Sequence, residues 1–346
     1  MKLLSIIGHF GFGRNLLNGQ TVKTKILADE LERRYGEEEV LRIDTHGGAK
    51  TLFKAPFQVL RALKKSKNVI ILPAHNGLRV NAPLLTAFRW MFRGRRLHYV
   101  VIGGWLPAFL QHRKALRASL KRFDGIYVET NTMRRALEAQ GFQNVWVLPN
   151  CKRLTPLCEE ELVEPVGPPY RVCTFSRVTK EKGIGDAVEA VRRVNEQMGY
   201  TAYTLDIYGP IDPAQADWFA ELQTTFPSYV AYRGEVAFDR SVEVLKDYFA
   251  LLFPTHHYTE GIPGTILDAY AAGVPVISAR WESFSDLIED DVTGVGYTFD
   301  DFEALVEVLL KAALSPQDCG EKKGACLAEA KKYLPEQAIM PLVERL

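Results

Sequence analysis

Two successive doubly wound α/β domains, facing a central cleft, are the architecture that the sequence predicts, and three observations predict it. Short β-branched or apolar runs alternate with longer helix-like stretches along the chain, the pattern that builds parallel sheets covered by helices. The alternation is interrupted once, by the Pro- and Glu-rich passage from Thr155 to Pro169, and then restarts as a complete second set. A length of 346 residues suits two domains of ordinary size. Ligands of such sheets bind beyond the carboxyl ends of the strands, so the cleft is where a site is expected.

The first domain is expected over residues 1–155. Its strands are read at Lys2 to Ile7, Val40 to Asp44, Asn68 to Leu72, Leu97 to Ile102, Gly125 to Glu129 and Asn144 to Leu148, each a short apolar or β-branched run. The second domain, over residues 170–330, carries strands at Tyr170 to Phe175, Tyr203 to Tyr208, Val230 to Arg233, Ala250 to Phe253 and Val274 to Ser278. Residues 331–346 read as a helix expected to pack back on the first domain.

With 47% hydrophobic and 25% charged residues the chain is neither disordered nor fibrous. Five cysteines, an odd count with no CxxC pair, argue against a disulfide framework and a zinc site and suit a reducing cytoplasm. The amino-terminal apolar run breaks into glycines as a first strand does and a signal peptide does not. The uncharged run Leu97 to His112 contains two glycines and a proline and falls short of the roughly 20 residues of a membrane span.

After the first strand comes Gly8-His9-Phe10-Gly11-Phe12-Gly13-Arg14-Asn15, opening a helix predicted around Val22 to Tyr35. Its backbone amides either approach an anion or sugar or simply make a tight strand-to-helix turn. A dinucleotide fingerprint would need glycine at Leu16, so hydride transfer is disfavoured. In the second domain, Phe175 to Gly183 places Arg177 and Lys182 beside a helix N-terminus, where a guanidinium fork, a mobile ammonium and helix amides together make a diphosphate clamp; the plain alternative is a solvated basic loop. Further on, Glu260-Gly261-Ile262-Pro263-Gly264-Thr265 leads into a helix that carries Asp268. Carboxylates at this spacing suit the vicinal hydroxyls of two sugars, and the amides of Gly264 and Thr265 suit phosphate. His256 and His257 are adjacent and point to different sides of most backbones, so no metal is expected there. His75, in Leu72-Pro73-Ala74-His75-Asn76-Gly77, is either an acceptor-side group or a structural histidine.

With these residues the chain resembles the retaining GT-B glycosyltransferases of glycosyltransferase family 4. The segment Glu260 to Ile277 follows the family's second-domain signature, and the Gly-rich turn, Val128-Glu129-Thr130 and Pro149-Asn150 are similar to its first domain. Two positions depart: Asp268 stands where Glu is usual, and Val100 to Trp105 lacks the histidine commonly found there. The resemblance implies the GT-B architecture of two Rossmann-like domains and a nucleotide-sugar donor on the second. Arg177 and Lys182 would hold its diphosphate, Asp268 its ribose diol and Glu260 the transferred sugar, with the base near Arg233-Gly234-Glu235-Val236. Gly13, Gly261, Ile262, Pro263, Gly264 and Thr265 complete the implied donor site, with Glu260, Arg177 and Lys182 its catalytic members. The acceptor side would include His75, Asn76, Gly104 and Trp105. No metal or other cofactor is implied, since the cations and helix amides neutralise the leaving diphosphate.

The formal charge of +1 hides an asymmetry. Residues 1–150 carry 25 Lys and Arg against 10 Asp and Glu, a balance of +15, and the remainder 18 against 32, a balance of −14. Between Thr45 and Phe123 there is no acidic residue and there are 16 basic ones. Over Leu106 to Phe123 a helix would put Arg113, Lys114, Arg117 and Lys121 on one face and Leu116, Leu120 and Phe123 on another. Phe53, Phe57 and Leu60 beside Lys54, Arg61, Lys64 and Lys65 repeat the arrangement. An anionic membrane surface is favoured as the partner over plain solvation, and over nucleic acid, for which no motif is present. The expected function is retaining transfer of a sugar to a lipid-linked or surface-polysaccharide acceptor by a cytoplasmic enzyme, peripheral on the inner face of the cell membrane. The alternative is a non-catalytic, glycosyltransferase-like protein that only binds nucleotide sugars.

Overall fold

The computed structural model describes residues 1–13, 19–47, 49–164 and 166–346. Arg14, Asn15 and Leu16 of the Gly-rich segment lie outside the described residues, as does Pro165. The chain forms two compact units, Met1–Arg153 with Tyr333–Leu346, and Leu154–Lys332.

In the first unit the strands are β1 (Lys2–Gly8), β2 (Val40–Asp44), β3 (Ser66–Ile71), β4 (Arg96–Val100), β5 (Gly125–Val128) and β6 (Val145–Val147). They form a parallel sheet in the order β2-β1-β3-β4-β5-β6, so the winding reverses between β1 and β3. Its helices are α1 (Gly19–Tyr35), α2 (Ala49–Lys65), α3 (His75–Phe88), α4 (Leu106–Leu110), α5 (Lys114–Leu120) and α6 (Asn131–Glu138). Because successive strand residues point to opposite faces, the sheet is buried on both. One face packs Ile7, Val69, Ile71, Tyr99 and Ile126 against Val59, Leu63, Leu78, Leu85, Leu116 and Leu137 of α2, α3, α5 and α6. The other packs Leu4, Ile6, Ile70 and Val100 against Leu27 and Leu31 of α1, and against Ile339 and Leu342 from the carboxyl-terminal segment.

The second unit has β7 (Tyr170–Phe175), β8 (Tyr203–Tyr208), β9 (Val230–Gly234), β10 (Ala250–Phe253), β11 (Val276–Ala279) and β12 (Gly294–Tyr297). The order β12-β11-β10-β7-β8-β9 is that of dinucleotide-binding sheets, with its switch point between β7 and β10. The connecting helices are α7 (Ile184–Met198), α8 (Ala216–Gln223), α9 (Ser241–Leu245), α10 (Gly264–Ala271), α11 (Phe302–Leu314), α12 (Gln317–Glu321) and α13 (Lys323–Ala330). α7 buries Ile184, Ala187, Val188, Val191 and Val194, spaced three and four apart, and ends at Gly199, whose φ of 72° closes the helix without a Cβ clash. α14 (Pro335–Ala338) and α15 (Met340–Val343) then return to the first unit.

Four local expectations differ from the structure. The single helix expected over residues 331–346 is two short ones, α14 and α15, which meet at Ile339. A sixth strand, β12, joins the second sheet; its Gly294 lies against β11, where a Cβ would stand 2.3 Å from the Val276 carbonyl oxygen. The passage after Thr155 packs on its own unit: Leu157 donates its amide to the Ala271 carbonyl at 2.9 Å. The helix expected over Leu106 to Phe123 breaks at Gln111 to Arg113 into α4 and α5.

Candidate functional site

The loops at the switch point of the second sheet bring together residues far apart in sequence. After β7 the chain pairs with the loop after β8, where Val178 and Ile211 form an isolated bridge and Arg177 Nη1 lies 3.5 Å from Asp212 Oδ2. Gly209 permits this approach: a Cβ there would stand 1.9 Å from the Ser176 carbonyl oxygen. A turn over Lys180–Lys182 then delivers Gly183 at φ 67° to the start of α7, in contact with the loop after β10. A Cβ on Gly183 would stand 1.8 Å from the Pro254 carbonyl oxygen. The two loops are also tied by the His256 amide, which donates to the Glu181 carbonyl at 2.9 Å.

This stitching places the Lys182 ammonium on Glu260 Oε1 as a short ion pair, 5.3 Å from the centre of the Phe253 ring. Glu260 is largely buried and Lys182 partly so. A partly dehydrated pair of this kind is strongly coupled, and an anion that attracts Lys182 competes directly with Glu260. Pro263 occupies the cap of α10 and contributes no side-chain hydrogen bond to the first amides, so the positive helix end at Gly264 and Thr265 is open to an anion. The Thr265 hydroxyl is buried without a hydrogen-bond partner, which is costly unless a ligand satisfies it.

Asp268 lies one turn into α10 at 2% exposure, and its Oδ1 accepts the Ser241 hydroxyl at 2.7 Å. Gly234 ends β9 at φ 81°, accepts the Gly209 amide at 2.9 Å and has open space where a Cβ would be. His256 sits between Asp300, 2.6 Å from Nδ1, and Asp186, 3.0 Å from Nε2. Burial pulls its pKa down, but the two carboxylates outweigh burial and hold the imidazole above its ordinary value. Among the described residues no group of His, Cys, Asp and Glu is arranged to hold a metal ion.

In the first unit the Gly-rich turn already has an anion. Asp44, at the end of β2, accepts the amides of Phe10, Gly11 and Phe12 at 2.9, 3.2 and 2.9 Å, and that of His46 at 2.9 Å. Burial raises the Asp44 carboxyl, and these four amides more than offset that and keep its pKa below the usual range. Gly13 follows at φ 76° with nothing within 4 Å of its Cβ position. His9 joins the same corner, 2.7 Å from the Thr21 hydroxyl and 2.9 Å from His46 Nδ1. Sequence reasoning missed Asp44 and this histidine chain; the signal was a carboxylate ending the strand next to a glycine-rich turn. Behind them, Lys23 and Glu129 form a buried ion pair at 2.6 Å, with the Gly103 amide 3.1 Å from the same carboxylate oxygen. Gly104 is buried, Asn76 is exposed, and His75 stacks on Trp105 with ring centres 3.9 Å apart.

Residues 169–314 match the family model described as Glycosyl transferases group 1. The whole chain superimposes on the crystal structure of HepE from Anabaena in complex with UDP and glucose, with a TM-score of 0.74, 15% identity and 100% of both chains covered. Residues 169–314 are thus homologous to the group 1 glycosyltransferases, and the chain as a whole shares the fold of HepE. Sucrose-phosphate synthase from Thermosynechococcus elongatus has the same fold, with a TM-score of 0.75 at 13% identity over 99% of this chain and 98% of that one. In sequence, the chain is 29% identical over 160 residues to the amylovoran biosynthesis glycosyltransferase AmsK of Erwinia amylovora, a match covering 43% of this chain and 37% of AmsK. The alignments to its curated relatives thus span well under half the length of those proteins. The matched segment of the family model holds Arg177, Lys182, Gly234, Glu260 and Asp268.

Proposed function

We propose that this protein transfers a sugar, with retention at the anomeric carbon, from a nucleotide-sugar donor to a lipid-linked or surface-polysaccharide acceptor. The observation that carries the reading is the convergence of Lys182, Glu260, the uncapped amides of α10 and the unpartnered Thr265 hydroxyl. In it, Arg177, Lys182 and the amides of Gly264 and Thr265 neutralise the diphosphate as the bond from C1 to the phosphate oxygen breaks. The acceptor hydroxyl forms the new bond to C1 on the same face, and its proton passes to the departing phosphate oxygen. Glu260, released from Lys182, holds hydroxyls of the transferred sugar; Gly261, Ile262 and Pro263 shape that pocket. Asp268 takes the ribose diol, and Gly234 lies beside the base. AmsK, named for amylovoran biosynthesis, supports a polysaccharide acceptor.

The test is turnover of UDP-, GDP- and ADP-sugars with and without a polysaccharide or polyprenyl-linked acceptor. A productive donor is expected to be consumed, with turnover surviving EDTA because the protein's own cations meet the diphosphate. Glu260→Gln is expected to lose turnover while retaining the free nucleotide. Binding of a nucleotide sugar without transfer or hydrolysis in the wild type would overturn catalysis and leave the binding-protein alternative; near-normal turnover in Glu260→Gln would overturn the role of Glu260.

A further inference from the structure

Beyond the donor site, the first unit gathers unpaired cations around one aromatic ring. Phe109, at the end of α4, has the Arg113 guanidinium 3.9 Å from its ring centre and the Arg79 guanidinium 5.2 Å from it. His75, the first residue of α3, meets the same ring edge-on at 4.8 Å and stacks on Trp105 at 3.9 Å. Arg113 donates one hydrogen bond, from Nη1 to the Phe109 carbonyl at 2.5 Å. Among the described residues neither guanidinium has a carboxylate partner, and the ring nitrogens of His75 have no hydrogen-bond partner.

This differs from an ordinary basic surface, where long side chains spread into water and repel one another apart. Here the one ring of Phe109 draws both Arg79 and Arg113 to itself by cation–π attraction. The repulsion is felt by His75: burial first, then Arg79 and Arg113, push its imidazole below the ordinary range. An anion placed among the three groups would relieve that repulsion and take charge-assisted hydrogen bonds from guanidinium forks already oriented by stacking. The exposed imidazole, backed by Trp105, offers a flat apolar face for the ring of a sugar that carries the anion.

We propose that the acceptor is an acidic saccharide, bearing a phosphate or carboxylate group, and that Arg79, Arg113 and His75 select it. This rests on the transfer reading above and names its acceptor class. The probes are glucose 1-phosphate and glucuronate, with inorganic phosphate as the anion lacking a sugar and glucose as the sugar lacking charge. Binding is followed by calorimetry and by the emission of Trp105, with Trp105→Phe as the optical control. Both charged sugars are expected to bind at least roughly tenfold more tightly than glucose, and Arg79→Gln and Arg113→Gln each to weaken them by a similar factor. UDP affinity and melting temperature are expected to stay unchanged in both variants, which separates a lost anion site from a misfolded unit. Phosphate binding as tightly as glucose 1-phosphate would reject the saccharide part and leave an anion site. Equal affinity for glucose and glucuronate, or wild-type affinity in both arginine variants, would overturn the proposal. Failure of every nucleotide diphosphate to bind would instead strike the donor reading.

Discussion

Lys182 and Glu260 are the residues on which sequence and structure bear most differently. Both were legible as chemistry, from a basic loop before a helix and a carboxylate before a second one. Their pairing was not, because 78 residues separate them and only the winding of the sheet joins them. Removing a charge that meets phosphate costs charge-assisted hydrogen bonds, so Lys182→Ala and Arg177→Ala are each expected to weaken nucleoside diphosphate binding about tenfold or more. Nucleoside binding is expected to be nearly unchanged, and calorimetry with both ligands checks the difference. His256 is a second case, since Asp186 and Asp300 hold its pKa above the ordinary value. A raised histidine contributes stability that is complete below its unfolded pKa, near 6.5, and is lost as the pH rises through the higher folded pKa. The wild type is therefore expected to melt above His256→Gln at pH 5.5 by a margin that narrows toward pH 8.5. A margin independent of pH would mean that the imidazole acts only by shape.

At the scale of elements, the strands were the most readable part, because buried parallel strands are continuous apolar runs. β12 escaped because Gly294-Val295-Gly296-Tyr297 has two glycines and too few apolar residues to register; it is a strand only because β11 pairs with it. The broken helix had a signal that periodicity read over too long a window concealed. Carried through as one straight helix, Leu106 and Leu110 would fall among Arg113, Lys114, Arg117 and Lys121 and not beside Leu116 and Phe123. The break lets Leu106 and Leu110 be buried as well as Leu116 and Leu120, and it takes Arg113 off the face of Lys114, Arg117 and Lys121 and sets it on Phe109. The loops of the proposed donor site depend on backbone contact as much as on side chains. Gly183→Ala combines a left-handed φ with a 1.8 Å clash; it is expected to lower the melting temperature and to weaken UDP-type ligands although no ligand-binding side chain is altered. Calorimetry and melting curves of the same variant measure both effects, and an unaffected variant would mean that the loops can separate freely.

For the molecule as a whole, the most visible property is the split of charge along the chain, +15 over residues 1–150 against −14 over the rest. Composition made that split plain, whereas which basic groups act together needed the fold. Phe53 and Phe57, on α2, are exposed at 85% and 76%, and Lys54, Arg61, Lys64 and Lys65 are exposed along the same helix. Basic groups contribute about 1 kcal/mol each near an anionic leaflet, so sedimentation with vesicles is expected to rise with anionic lipid content and to fall as salt shortens screening below about 10 Å. Replacing Lys54, Arg61, Lys64 and Lys65 by Glu is expected to remove most of that binding and to spare nucleotide affinity; binding indifferent to lipid charge would reject the membrane partner. The return of Tyr333–Leu346 to the first unit has a further consequence, which concerns time. During synthesis the strands β1 to β6 emerge long before Ile339 and Leu342, the side chains that help cover one of their faces. The whole second unit must leave the ribosome in between. Until it has, that face of the nascent first sheet stays incompletely covered, and a stalled or prematurely ended translation product would present it to chaperones and proteases rather than fold into a smaller working protein.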